Sequence, residues 1–132
     1  MKYVIDTHAV IWFFEGNPRL GINAKAILSS PDSQLVLPAT ALAEAVWIVD
    51  RGKTSIPSVN DLLSALEEDY RIVVYPLNKE VIEKTIYLSA INEMHDRQIA
   101  ATALVLASTG ENVKLLTCDL NITNSGLVPI VW

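Results

Sequence analysis

The sequence predicts an α/β fold, a three-layer sandwich in which helices flank a central parallel sheet. Strand-like runs alternate with longer helical stretches along the chain, which is the order typical of parallel sheets. The runs are rich in Val, Ile and Leu with little polar alternation, as expected for strands that are covered on both faces. The predicted strands are residues 2–6, 34–37, 71–75, 113–117 and 127–131.

The predicted helices follow from hydrophobic periodicity and from residues that favour helix ends. Pro38 favours the first turn of a long apolar helix that ends near Gly52. Ser58 is a suitable N-cap for a helix whose leucines share one face. The last predicted helix is apolar and ends just before Gly110. The predicted helices are residues 8–15, 20–30, 38–51, 58–70, 78–91 and 96–109.

The length and composition indicate a single globular domain, residues 1–132, in a reducing compartment. The chain is 51% hydrophobic and 19% charged, which is typical of folded proteins. Its one cysteine, Cys118, cannot form an internal disulfide, which favours the cytoplasm. The first residues do not have the pattern of a signal peptide, and the longest nearly apolar run, residues 35–49, is too short to span a membrane. We therefore expect a cytoplasmic protein without a membrane partner.

The net charge of −5 bears on whether the chain binds nucleic acid. Proteins that bind nucleic acid without sequence preference are usually basic, so the charge argues against this class. A local basic rim or a bound metal ion can reverse the field of an acidic pocket, however. The charge therefore does not exclude a nucleic-acid substrate.

Four carboxylates occupy positions where acidic side chains need an explanation. Asp6 ends one predicted strand and Asp119 follows another, and ligands collect at the carboxyl ends of parallel strands. Glu44 is the only charged residue from Leu35 to Val49, in a helix that is expected to be apolar and buried on nearly all sides, and Asp96 begins another apolar helix. Each also has a structural explanation: Asp6, or Thr7 beside it, and Asp96 are suitable N-caps, Asp119 suits a turn, and Glu44 could be solvated or paired.

Convergence of the four carboxylates would predict a metal site. Like charges held close together raise at least one pKa strongly unless a cation neutralises them. Ligands that offer only oxygen select a hard cation, Mg²⁺ or Mn²⁺. Such a site suits phosphodiester hydrolysis, because the metal binds a phosphate oxygen and lowers the pKa of a water.

Four segments in this order resemble the PIN-domain ribonucleases, most closely the VapC-type toxins of bacterial and archaeal toxin–antitoxin pairs. The segments are "VIDTHAVIWFF", "ATALAEAV", "HDRQIAATAL" and "LLTCDLNI". The resemblance implies a PIN-like α/β fold and a metal-dependent endoribonuclease that uses Mg²⁺, for which Mn²⁺ can substitute. It also implies a homodimer and a cognate antitoxin protein. The implied acidic residues, catalytic and metal-binding, are Asp6, Glu44, Asp96 and Asp119; Thr7 and Thr117 would orient water or a carboxylate.

Three cations are candidates for contacts to RNA phosphates. Arg97 is unfavourably placed in the first turn of a helix, which suggests a role in binding an anion; Arg51 and Lys53 are weaker candidates, since solvated helix ends are common. Each cation could equally be a solvent-facing residue. His8 and His95 have no assigned role, and surface or structural positions explain them equally well.

The aromatic residues Trp12 to Phe14 and Trp47 belong either to the core or to an apolar groove for a partner.

Other function classes remain open. A phospho-receiver domain or a haloacid-dehalogenase-type phosphatase is also α/β, but the first expects an acidic pair after the first strand, and the second expects an aspartate two residues after the first aspartate. Asp6 stands alone, and His8 occupies the second position. A catalytically silent PIN-like scaffold that only binds a partner is the remaining alternative.

Overall fold

A five-stranded parallel sheet, flanked by seven helices, forms the framework of the chain, which is described here by a computed structural model of residues 1–132. The predicted α/β sandwich is therefore confirmed. The strands are β1 (Lys2–Ile5), β2 (Gln34–Pro38), β3 (Ile72–Tyr75), β4 (Val113–Leu116) and β5 (Ile130–Val131). The helices are α1 (Thr7–Glu15), α2 (Ile22–Ser29), α3 (Ala39–Asp50), α4 (Val59–Glu68), α5 (Lys79–Thr85), α6 (Met94–Ala107) and α7 (Leu120–Ser125).

The strand order is β3-β2-β1-β4-β5, and every pair is parallel. The central strand β1 pairs with β2 on one side and β4 on the other, so that Val4 lies opposite both Val36 and Leu115. The chain builds outward from β1 in one direction through β2 and β3, and in the other through β4 and β5. The carboxyl ends of β1 and β4 thus flank the point where the strand order reverses, which is where open α/β sheets bind ligands.

The core consists of 30 buried hydrophobic residues contributed by the sheet and by helices on both faces. Ile5, Leu37 and Leu115 are completely buried in the strands. From α6, Ala100 and Ala101 are also completely buried. Side chains this small let a helix approach the sheet closely, and the dense packing fixes the start of α6 relative to the strand ends.

Three elements differ from the sequence prediction by more than one or two residues at their ends. The predicted helix over residues 78–91 ends at Thr85, and turns follow in which Ile86 is exposed while Leu88 and Ile91 anchor the chain in the core. The last strand is only two residues long. Helix α7 was not predicted, because six residues are too few to show a helical period. No helix combines the length and apolar character needed to cross a lipid bilayer.

Candidate active site

The carboxyl ends of β1 and β4 open into a pocket of about 300 Å³. The four predicted acidic residues and both predicted threonines line it together, although they come from four separate places in the chain. We call it the acidic pocket. Its polar lining includes Asp6, Thr7, Glu44, Asp96, Thr117 and Asp119.

Asp6 ends the central strand and is both a helix cap and a pocket residue. One carboxylate oxygen accepts a 2.7 Å hydrogen bond from the backbone N–H of Thr7, at the N-cap of α1, and the other accepts one from the Thr117 hydroxyl. The side chain is almost fully buried, and burial raises its pKa despite these donors. Asp6 can therefore cap α1 and line the pocket at once, because it lies at the carboxyl end of β1, which is the edge of the sheet where the pocket opens.

Glu44 projects from α3 with its side chain 31% exposed. The prediction that this helix is apolar and buried on nearly all sides is wrong, because Trp47 is 59% exposed. One Glu44 carboxylate oxygen accepts a 2.8 Å hydrogen bond from the Thr7 hydroxyl, and the other lies 3.5 Å from His95 Nδ1. His95 also lies 3.1 Å from a carboxylate oxygen of Glu93, so this histidine bridges two acids at the rim of the pocket.

Asp96 is not the N-cap of its helix, contrary to the structural explanation considered above. Helix α6 begins at Met94, and the Glu93 side chain accepts a 2.8 Å hydrogen bond from the Asp96 backbone N–H. The Asp96 carboxylate itself accepts no hydrogen bond from the protein. Burial, together with the negative charges of Asp119, Asp6, Glu93 and Glu44, raises the pKa of Asp96 to about 7.

Asp119 is the N-cap of the unpredicted helix α7, where one carboxylate oxygen accepts a 3.0 Å hydrogen bond from the backbone N–H of Ile122. Its own N–H donates to the Thr117 hydroxyl at 3.0 Å, and that hydroxyl donates to Asp6. A single buried hydroxyl thus fixes the spacing between the two strand-end carboxylates.

The side chains of the acidic pocket offer the ligand atoms that a hard divalent cation prefers, but they are spaced too widely for several carboxylates to bind one cation directly. Carboxylate and hydroxyl oxygens are the ligands that Mg²⁺ and Mn²⁺ prefer, and the unpartnered Asp96 carboxylate lies among like charges that a cation would neutralise. No three His, Cys, Asp or Glu side chains are close enough, however, to hold a metal together. A cation here would therefore contact few carboxylates directly and reach the others through water, as Mg²⁺ commonly does.

Comparison with known proteins identifies the family. The sequence profile of the PIN domain matches residues 3–124. The chain belongs to the PIN domain family. No curated protein sequence matches it significantly.

Solved structures share this PIN domain fold over nearly the whole chain. VapBC2 from Rickettsia felis, bound to a DNA fragment from its promoter, has a TM-score of 0.73 at 16% identity and covers 99% of this chain and 98% of that chain. VapC20 from Mycobacterium tuberculosis, a sarcin-ricin loop cleaving toxin, has a TM-score of 0.66 at 16% identity and covers 96% and 97%. FitAcB from Neisseria gonorrhoeae has a TM-score of 0.66 at 21% identity and covers 97% and 95%. At these identities the likeness establishes a shared fold.

The cations predicted to bind RNA lie outside the acidic pocket of this PIN domain. Arg97 lines a separate depression and donates a hydrogen bond from its Nε to the backbone carbonyl of Ile91. The Arg51 guanidinium stacks 3.8 Å from the ring centroid of Trp47. Lys53 lines a groove that adjoins the pocket. Their contacts to RNA stay predictions. Of the three cations, Lys53 has the most suitable position for such a contact, because its groove adjoins the acidic pocket.

Sequence reasoning missed two residues near the site. Trp132, the last residue, lines the acidic pocket, and Arg19 lines the adjoining groove with Lys53. Neither belongs to a motif, and both reach the site through the tertiary fold. Of the aromatic run, Trp12 lines the pocket, whereas Phe13 and Phe14 pack against the core.

Proposed function

We propose that this PIN domain is a Mg²⁺-dependent endoribonuclease and the toxin of a toxin–antitoxin pair. The observation that carries the proposal is the acidic pocket, where the Asp96 carboxylate lies without a hydrogen-bond donor among three other acidic side chains and its pKa is raised to about 7. Family membership supports a nuclease. The fold shared with VapC20, which is a sarcin-ricin loop cleaving toxin, supports RNA as the substrate.

In this proposal Asp6 and Asp96 would contact the cation first, while Glu44 and Asp119 would contribute directly or through water. Mg²⁺ bound there would neutralise the crowded carboxylates and act as a Lewis acid toward a phosphate oxygen of the RNA. Mn²⁺ would substitute, because it shares the preference for oxygen ligands.

The chain's own residues would orient the reacting groups. The Thr117 hydroxyl and the Thr7 N–H fix both oxygens of Asp6, and the Thr7 hydroxyl fixes Glu44. Fixed carboxylates hold their positions while substrate binds, so little reorganisation is needed at the moment of reaction.

A homodimer and a cognate antitoxin protein are the proposed partners. An apolar groove of about 780 Å³ adjoins the acidic pocket through Glu44 and Ile48, and is lined by Trp47, Leu77 and Met94 among others. These three side chains are between 39% and 60% exposed, and exposed apolar patches of this kind commonly mark protein interfaces. The VapBC names of the structural relatives support the antitoxin.

The strand order opposes the phospho-receiver alternative, because receiver domains use the order 2-1-3-4-5 whereas this sheet has β3-β2-β1-β4-β5. Membership of the PIN family likewise argues against the phosphatase. A cleavage assay distinguishes a catalytically silent scaffold from an enzyme.

The deciding experiment incubates the purified protein with a structured RNA in Mg²⁺ and in EDTA. We expect cleavage only with Mg²⁺, and loss of cleavage in Asp96→Asn. Asp32→Asn is the matched control, because this exposed aspartate precedes β2, at the edge of the sheet opposite the pocket, and should leave cleavage unchanged. Equal RNA integrity under all conditions would support the silent scaffold instead.

A further inference from the structure

A second groove, of about 310 Å³, continues from the acidic pocket and shares His8, Trp12 and Ile48 with it. Beyond Trp12 it is lined by two cations, Arg19 and Lys53. We propose that this surface binds a single-stranded RNA segment adjacent to the cleaved phosphodiester. We call it the flanking groove and define it by Trp12, Trp132, Arg19 and Lys53. The inference rests on the proposed function, since it assigns the path of the same substrate.

Two indole rings form the part of the flanking groove that is nearest the carboxylates. Trp12 and Trp132 both line the acidic pocket, and their rings meet edge to face with centroids 5.8 Å apart. Both side chains are only partly buried. Unpaired bases stack on exposed aromatic faces whatever their sequence, which is the usual way in which proteins bind single strands. The indoles therefore suit the base beside the reacting phosphate.

The two cations suit the phosphates that follow. The Arg19 guanidinium lies 5.9 Å from the Trp12 ring centroid, close enough for one nucleotide to contact both side chains. Arg19 and Lys53 are exposed, and neither forms an ion pair within the chain. The two cations outnumber Glu15, the one acidic side chain of this groove, and so provide local positive potential in a chain of net charge −5.

Glu15 is the only acidic side chain that lines this groove, and its carboxylate is already engaged by the protein. It accepts hydrogen bonds from the Ser55 backbone N–H at 2.7 Å, from the Ser55 hydroxyl at 3.1 Å and from Asn17 Nδ2 at 3.1 Å. Against the effect of partial burial, these bonds and the nearby charge of Arg19 hold the pKa of Glu15 below its usual value, and the bonds fasten the loop that carries Lys53 to the end of α1. Glu15 thus positions a cation.

The position of Trp132 is fixed by a complementary gap at Gly21. A Cβ atom at residue 21 would lie 2.5 Å from the Trp132 carbonyl carbon and 2.6 Å from its Cδ1, so only glycine permits this packing. The Trp132 carbonyl oxygen also accepts a 2.9 Å hydrogen bond from Asn23 Nδ2. Trp132 lies beyond the residues that match the PIN profile, which end at 124. The family likeness therefore does not assign it a role.

The test measures binding without catalysis, in EDTA, to a labelled oligouridylate of about ten nucleotides, a typical single-strand site size. We expect Trp132→Ala to weaken binding about tenfold, in keeping with the loss of one stacked base, and Trp132→Phe to restore most of the affinity. The double variant Arg19→Ala/Lys53→Ala should lower the slope of log affinity against log salt by about 1.4, which corresponds to two single-strand phosphate contacts. Lys79→Ala is the control, because this lysine is 90% exposed and outside the groove.

Gly21→Ala provides an independent variant that leaves every groove side chain in place. The added methyl group should displace Trp132 and weaken binding as Trp132→Ala does, while a melting curve verifies that the protein is folded. Unchanged affinity and salt slope in the folded variants would overturn the flanking groove, even if the parent cleaves RNA. Loss of binding in these variants, with no Mg²⁺-dependent cleavage by the parent, would support the groove and refute the proposed nuclease.

Discussion

Asp96 differs from the other pocket acids because the protein gives its carboxylate no hydrogen-bond donor. Burial and four nearby acids raise its pKa from an ordinary value of 3.8 to about 7. Asp6 and Glu44 each accept hydrogen bonds from threonine hydroxyls. Asp96 therefore lacks the hydrogen bonds that partly offset the burial of Asp6, and a cation or a proton would stabilise it at neutral pH.

The metal-free stability of Asp96→Asn should depend on pH in a defined direction. Below pH 3.8 the parent carboxyl is protonated in both folded and unfolded states; between pH 3.8 and about 7 the unfolded state ionises while the folded state keeps its proton, so stability falls until the folded carboxyl ionises as well. Asparagine carries no such loss. In EDTA at pH 8 the variant should melt about 4 °C above the parent, which corresponds to about 1 kcal/mol after allowance for solvent screening.

Melting curves in EDTA at pH 4 and pH 8 check this expectation. Near pH 4 the two proteins should differ little. An equal difference in melting temperature at both pH values would show that the charges of its neighbours do not destabilise the ionised Asp96.

The Thr117 hydroxyl should matter more than an ordinary buried hydroxyl. Thr117→Val keeps the shape of the side chain but removes the donor to Asp6 and the acceptor for the Asp119 N–H. We expect a loss of about 1–3 kcal/mol in unfolding free energy, because buried polar groups are left unpaired, and a lower cleavage rate. Thr102→Val is the matched control, since that buried hydroxyl donates only to the Gln98 carbonyl one helical turn away. Equal loss of activity in both variants would contradict a special role for Thr117.

At the scale of elements, the sequence predicted the helices and strands whose positions depend on hydrophobic periodicity and on capping residues. The Ser58 cap and the strand-end position of Asp6 were predictable, because each depends on its immediate neighbours. The start of α6 was placed two residues late, because Asp96 is itself a good cap and local sequence cannot decide between it and Glu93. Helix α7 depends on the fold that brings Ile122 into the core.

The Glu93 cap should couple the stability of α6 to the acidic pocket. Glu93→Ala removes the acceptor for the Asp96 N–H and should cost about 1 kcal/mol. It also removes one of the charges that raise the pKa of Asp96, which should therefore fall. The pKa can be followed by NMR titration of the Asp96 carboxyl in EDTA.

Ser58→Ala, which removes the cap of α4, is the control for the Glu93 prediction. It should destabilise the protein to a similar extent without moving that titration. A shift of the Asp96 pKa in Ser58→Ala as large as in Glu93→Ala would contradict the electrostatic explanation.

At the scale of the whole molecule, parallel topology explains why the site was more predictable than the surfaces around it. Asp6, Thr117 and Asp119 follow strands, and a parallel sheet places all carboxyl strand ends at one edge. Arg19 and Trp132 approach the site through a loop and the last strand. No periodicity connects such positions, so the sequence predicted the acidic pocket and, of the flanking groove, only Lys53 as a candidate RNA contact.

Metal binding at the acidic pocket should change the stability of the whole molecule. If a divalent cation binds the folded acidic pocket, the parent is stabilised according to its metal affinity, by about 2.7 kcal/mol at a concentration one hundred times the dissociation constant. Asp96→Asn binds the metal poorly and gains little. The order of stability at pH 8 should therefore reverse: the variant melts higher in EDTA, whereas the parent melts higher in saturating Mg²⁺. Asp32→Asn should follow the parent in both conditions. Equal Mg²⁺-induced shifts in the parent and in Asp96→Asn would place any bound cation elsewhere and remove the basis for metal-dependent hydrolysis at this pocket.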